Sequence, residues 1–259
     1  YEQGTIGFVT EYGSNLSHSS IFSRSLHIPA VFGINNLLKQ IKDKDTIIID
    51  GNLGDVIINP TKNTITEYKE KQKNILLELN SYSDLKDKSI KNKKGVKIKF
   101  YSNISNLLDL ESTLINNADG VGLVRTENLL DKIENIFDEE LQYILYNKIA
   151  ESLYPKPVTF RLFDFGYDKL NLNNETESNP ALGLRGIRYL LRNNNILQLQ
   201  LNALIRASVN GNLRILIPMV TNISEIESIF NIAKKISKEL GIYCPKIGTM
   251  IETPSAAYN

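Results

Sequence analysis

The 259-residue sequence predicts an α/β protein organised as two units joined by a linker. Two observations carry that expectation. Short β-rich runs alternate with helical stretches along most of the chain, and glycine or proline punctuates them. One polar, lysine-rich stretch over residues 86–94 interrupts the alternation and reads as a solvated linker. Composition agrees with a chain long enough to bury a sizeable core: 42% of residues are hydrophobic and 23% charged. The 30 basic and 29 acidic residues leave a net charge of +1, which argues against a non-specific nucleic-acid binder. No apolar run approaches the ~18 residues needed to span a bilayer, so no membrane insertion is expected. The single cysteine, Cys244, excludes an internal disulfide or a multi-cysteine zinc site and suits a cytoplasmic setting. Abundant Ile, Asn and Lys with no Trp read as codon bias. The chain opens at Tyr1 without Met and ends at Asn259 just after an apolar segment, so we expect a fragment of a longer protein.

The first unit, residues 1–60, reads as a compact α/β domain. Residues 4–10 are β-rich and lead into a polar loop containing Gly13. Residues 18–26 have Ile21, Phe22 and Leu26 at helical spacing behind Ser17 as a candidate N-cap. Pro29 ends that helix, and residues 30–32 form a short strand closed by Gly33. Residues 46–50 and 56–59 are two more strands, with a hairpin turn at 51–54. Residues 61–95 form the linker, with a helical stretch at 67–79.

From residue 96 onward, strands and helices alternate. Strands are expected at 96–101, 120–124, 158–163, 214–219 and 246–251. Helices are expected at 105–116, 138–153, 184–191 and 223–240. Repeated βα units give a parallel sheet. Five strands are too few for a (β/α)₈ barrel, so either part of a barrel is missing or the sheet is open and doubly wound. An open arc would leave parallel edges uncovered. We accordingly expect the second unit to be the aggregation-prone one and residues 1–60 to stay folded.

Several residues could carry chemistry. His18 lies at the start of a helix, where backbone N–H groups favour an anion, and histidine is a nucleophile toward phosphorus. His27 lacks that setting. Arg125, Arg161 and Arg185 are read as lying at the ends of three different strands, Arg161 within 158–163, and arginines from separate strands can converge on one phosphate- or carboxylate-bearing substrate. Glu252 follows the last strand and could serve as a hard-metal ligand. No phosphate-binding loop of the ATPase type is present.

These segments resemble the PEP-utilising enzymes, where PEP is phosphoenolpyruvate. Ser17-His18-Ser19-Ser20-Ile21-Phe22-Ser23-Arg24-Ser25-Leu26, followed by Ile28-Pro29-Ala30-Val31-Phe32-Gly33, resembles their phosphohistidine signature. The Ser-His-Ser version is most similar to the Enzyme I group of the bacterial sugar phosphotransferase system. Gly120-Val121-Gly122-Leu123-Val124-Arg125-Thr126-Glu127, Arg161-Leu162-Phe163-Asp164-Phe165-Gly166-Tyr167-Asp168-Lys169, Asn179-Pro180-Ala181-Leu182-Gly183-Leu184-Arg185 and Gly248-Thr249-Met250-Ile251-Glu252-Thr253-Pro254 resemble that group's later motifs, in the same order. The resemblance implies a swivelling phosphohistidine domain (1–60), a helical linker (61–95) and the first part of a PEP-binding (β/α)₈ TIM barrel (96–259). It implies that His18 is phosphorylated, that Arg125, Arg161 and Arg185 line the PEP site, and that Glu252 is one of two Mg²⁺ ligands. It further implies transfer to a histidine phosphocarrier protein and, in the full-length protein, a homodimer. Ser14, Asn15 and Leu16 depart from the family's Gly-Arg-Thr before the histidine. Other readings are a pyruvate phosphate dikinase or PEP synthase relative, or a degenerate, non-catalytic copy.

Overall fold

The computed structural model describes residues 4–13, 28–83, 85–130, 132–166 and 183–258. The chain separates into two compact units, Tyr1–Lys88 and Ser89–Asn259. In the first, β1 (Phe8–Thr10) pairs in parallel with β2 (Ala30–Phe32). A single turn of helix, α1 (Leu37–Gln40), precedes an antiparallel hairpin of β3 (Ile47–Asp50) and β4 (Asp55–Ile58). Asp50 closes the hairpin. Its Oδ1 accepts from the N–H groups of Asn52 and Leu53, and Oδ2 accepts from Lys71 Nζ at 2.5 Å. Lys71 belongs to α2 (Lys62–Ser83), which is longer at both ends than the stretch expected at 67–79. The helix expected at 18–26 lies outside the described residues.

The second unit is a five-stranded parallel sheet in sequential order: β5 (Tyr101–Ile104), β6 (Gly120–Arg125), β7 (Val158–Arg161), β8 (Leu213–Ile217) and β9 (Lys246–Thr249). The helices between them are α3 (Leu107–Ile115), α4 (Glu139–Leu153), α5 (Ile187–Arg192), α6 (Asn194–Arg206) and α7 (Ile223–Leu240); α8 (Pro254–Tyr258) follows β9. The winding never reverses among these strands, so the switch point that defines a doubly wound sheet is absent from them. Val158, Phe160, Leu213, Ile215 and Ile217 bury one face of the sheet in a core shared with Tyr146, Ile149, Leu197, Leu201, Leu204 and Ile229 of the helices. The alternate residues face the other way and are less buried, with Tyr101, Asn103, Arg214 and Gly248 exposed. Gly120 takes φ 150° because β6 starts against the next strand. A Cβ there would lie 2.5 Å from the Pro157 carbonyl oxygen.

Three expectations need correction. The first strand of this unit is not 96–101 but Tyr101–Ile104. Val96, Ile98 and Phe100 remain exposed, so neither face of that stretch has a core to join. It instead turns back through a Lys91–Lys97 bridge, with Asn92 Oδ1 accepting from the N–H groups of Lys94 and Val96. The strand expected at 214–219 ends at Ile217, and Met219 adopts a left-handed φ of 58° that no strand tolerates. The stretch at 184–191 yields only α5, which starts after Gly186. A second helix, α6, follows it and was not expected.

Candidate anion-binding site at the strand ends

The strand ends of β6 and β7 bring two of the sequence-identified arginines side by side. Arg125 and Arg161 are register partners at the last positions of these strands. Arg125 is exposed at the C-terminal end of β6. Arg161 is nearly buried, with 11% of its side chain exposed. It donates to Glu127 Oε1 through one terminal nitrogen, and the other lies 3.4 Å from Asp164 Oδ2. Asp164 also accepts a two-pronged contact from Arg185, Nε to Oδ1 and Nη2 to Oδ2, both at 3.1 Å. One carboxylate therefore holds two guanidinium groups, Arg185 by a two-pronged fork that fixes its orientation and Arg161 by a single ion pair.

Arg185 does not end a strand, contrary to expectation. It sits in the connection between β7 and α5, one residue before Gly186. Gly186 has φ 54°, and a Cβ there would lie 2.9 Å from Met219 Cβ and 3.3 Å from Asp164 Oδ1. That close approach joins the β7 end to the β8 end. Met219 in turn donates its N–H to Glu252 Oε1 at 2.7 Å. Glu252 therefore lies three residues beyond the end of β9, in a turn that Thr253 secures by donating to the Val220 carbonyl at 2.5 Å. His18 and its flanking loop lie outside the described residues.

Arg125, Arg161, Arg185 and Glu252 are thus tied, link by link, along one edge of the sheet. Around Arg161, three guanidinium groups stand against two carboxylates, Glu127 and Asp164, a local cationic excess suited to an anion that Glu252, farther along the row, balances. Glu127 Oε2 and Arg161 Nε are buried without a hydrogen-bond partner, so this pair keeps one acceptor and one donor in reserve. The cluster is weaker as a metal centre. Glu252 offers the oxygen chemistry that Mg²⁺ prefers, but one of its oxygens already serves Met219. Among the described residues no group of three or more His, Cys, Asp or Glu side chains is arranged to hold a metal ion.

A profile of the PEP-binding domain of PEP-utilising enzymes matches residues 80–259, and one of their mobile domain matches residues 3–54. The chain belongs to the PEP-utilising enzyme family. Among curated relatives it is 37% identical to a phosphoenolpyruvate-protein phosphotransferase of Buchnera aphidicola (from Schizaphis graminum) over 97% of this chain and 46% of the relative. It is 37% identical to the protein of the same name from Staphylococcus aureus and 38% identical to that from Listeria monocytogenes, each over 97% of this chain and 45% of the relative. The chain thus spans about half the length of the curated relatives it matches. The arginines lie in the part of the chain that matches the PEP-binding domain. Glu127 and Asp164, which hold Arg161 in place, were visible only as parts of motifs, because a carboxylate near an arginine in sequence does not reveal which guanidinium it grips.

Proposed function

We propose that these residues carry the phosphoryl-accepting and PEP-binding parts of a phosphoenolpyruvate–protein phosphotransferase. The observation that carries this reading is the Arg125–Arg161–Asp164–Arg185 cluster at the strand ends of a chain in the PEP-utilising family. PEP bears a phosphate and a carboxylate, and separate guanidinium groups can bind and orient the two. His18 attacks phosphorus, the P–O bond to the enol oxygen breaks, and a P–N bond forms. The enolate leaves and takes up a proton to give pyruvate. The phosphoryl group then passes from His18 to a histidine of a small phosphocarrier protein, in the cytoplasm. The sequential parallel strands support a barrel wall as the architecture, and we extend the reading to a homodimeric full-length protein. Glu252 would supply one carboxylate oxygen ligand to Mg²⁺, whose charge would screen the PEP phosphate.

Labelled PEP tests this reading in the polypeptide carrying these 259 residues. The expected product is an acid-labile, base-stable phosphoprotein that His18→Ala cannot form, with its fold intact by circular dichroism. Label retained by His18→Ala would overturn the assignment.

A further inference from the structure

We propose that Gln200 is a positioning residue for the arginine cluster, acting from the core beneath it. The inference rests on the anion-binding reading above for its consequence, though not for its geometry. Gln200 lies on α6 and is fully buried. Ile196, Leu197, Leu201 and Leu204 of the same helix are buried around it, so a polar amide occupies the apolar face. A buried amide costs free energy unless all its hydrogen-bonding capacity is used.

Here that capacity is spent on the site. Gln200 Nε2 donates to Thr126 Oγ1 at 3.0 Å and reaches the Tyr146 hydroxyl at 3.4 Å. Its Oε1 accepts from the Phe163 N–H at 3.0 Å. Thr126, also fully buried, donates its hydroxyl to the Arg161 carbonyl at 2.7 Å. Thr126 directly follows Arg125, and Phe163 directly precedes Asp164. One side chain therefore fixes the backbone beside Arg125, at Arg161 through Thr126, and beside Asp164. Gln200, Thr126, Tyr146 and Phe163 are all fully buried, so the effect reaches an anion at the surface through the orientation of the arginines.

Gln200→Leu preserves volume and removes all three links. Thr126→Val removes the hydroxyl that both donates to the Arg161 carbonyl and accepts from Gln200, and leaves the Phe163 link in place. Asn212→Leu serves as control: Asn212 is buried at the opposite end of β8 and donates to the Ala150 and Lys156 carbonyls. Two quantities are read in each variant of the full chain, alongside its melting temperature: the dissociation constant for PEP, and the Nε–H resonance of Arg161, assigned by its loss in Arg161→Lys. Gln200→Leu should weaken PEP binding about tenfold and displace the Arg161 resonance, because small misplacements of binding groups are costly. Thr126→Val should do likewise, with the double variant adding little, as expected for one shared link. Asn212→Leu should lower the melting temperature while leaving both readouts unchanged. If Gln200→Leu lowers only the melting temperature, the proposal is overturned. If the unaltered chain does not bind PEP, the functional reading falls, and displacement of the Arg161 resonance by Gln200→Leu but not by Asn212→Leu decides the role of Gln200 alone. Should Gln200→Leu fail to fold, Thr126→Val carries the same two readouts, and an undisplaced resonance there overturns the proposal.

Discussion

Arg161 holds its place through two carboxylates, and that makes its chemistry and its stability separable. Arg161→Lys keeps the charge but loses the planar fork shared with Glu127 and Asp164. PEP turnover should fall by about 10²-fold, read as kcat/KM, while the fold persists. Arg161→Met instead leaves Glu127 and Asp164 buried without that cation. It should cost about 3 kcal/mol or more in denaturant unfolding, because removing one partner of a buried pair strands the other. Gly186→Ala is a purely steric probe. With φ at 54° and the new Cβ 2.9 Å from Met219 Cβ, it should cost about 1–3 kcal/mol and displace the Met219 N–H that binds Glu252. Amide NMR of Met219 and Glu252 checks it; unchanged shifts would mean that the β7 and β8 ends are not coupled through this glycine.

At the scale of elements, capping decides where helices begin. Asn106 and Asp109 form a reciprocal capping box on α3, and Asn222 and Glu225 form another on α7. Glu225 Oε1 and Oε2 accept from the Thr221 hydroxyl and N–H, so the box also ties down the loop after β8. Asn222→Ala should destabilise the second unit by about 1 kcal/mol, measured by urea unfolding. The hairpin of the first unit depends on pH through Asp50. Its carboxyl is held below the usual carboxylate range, first by the Lys71 hydrogen bond, against the opposing effect of its own burial. A depressed folded-state pKa contributes stability above the unfolded value of about 3.9, and that contribution is lost as pH falls through the folded value. The first unit should therefore lose stability on acidification below about pH 4, and Lys71→Met should flatten that slope. Acid titrations followed by tyrosine fluorescence would reveal an unchanged slope if Lys71 were irrelevant.

For the whole molecule, the distribution of buried apolar residues sets which unit opens first. Among the described residues of the first unit only Val31 and Leu37 are buried hydrophobics, whereas the core of the second draws on every strand from β5 to β8 and on α3 to α7. The first unit should exchange its amide hydrogens at least about tenfold faster than β7 and β8, the reverse of the stability order the open sheet edge suggests. No helix among the described residues is long and apolar enough to cross a membrane.

The order of the five strands, their parallel pairing and the place of Arg125 and Arg161 near strand ends were legible from sequence by itself, whereas α6 and the place of Arg185 were not. Period-2 and period-3.6 patterns are local, and so are motifs. Tertiary structure alone decided the rest. Val96, Ile98 and Phe100 have a strand-like pattern yet no face to bury, so β5 starts only at Tyr101. Asp164 was one acid among many until the chain brought Arg185, 21 residues later, against it. Gln200 was a lone amide on an apolar helix face, and only folding placed it beneath Thr126, 74 residues away. Burial and hydrogen-bond pairing are properties of distant segments meeting, and spacing along the chain does not encode which segments meet.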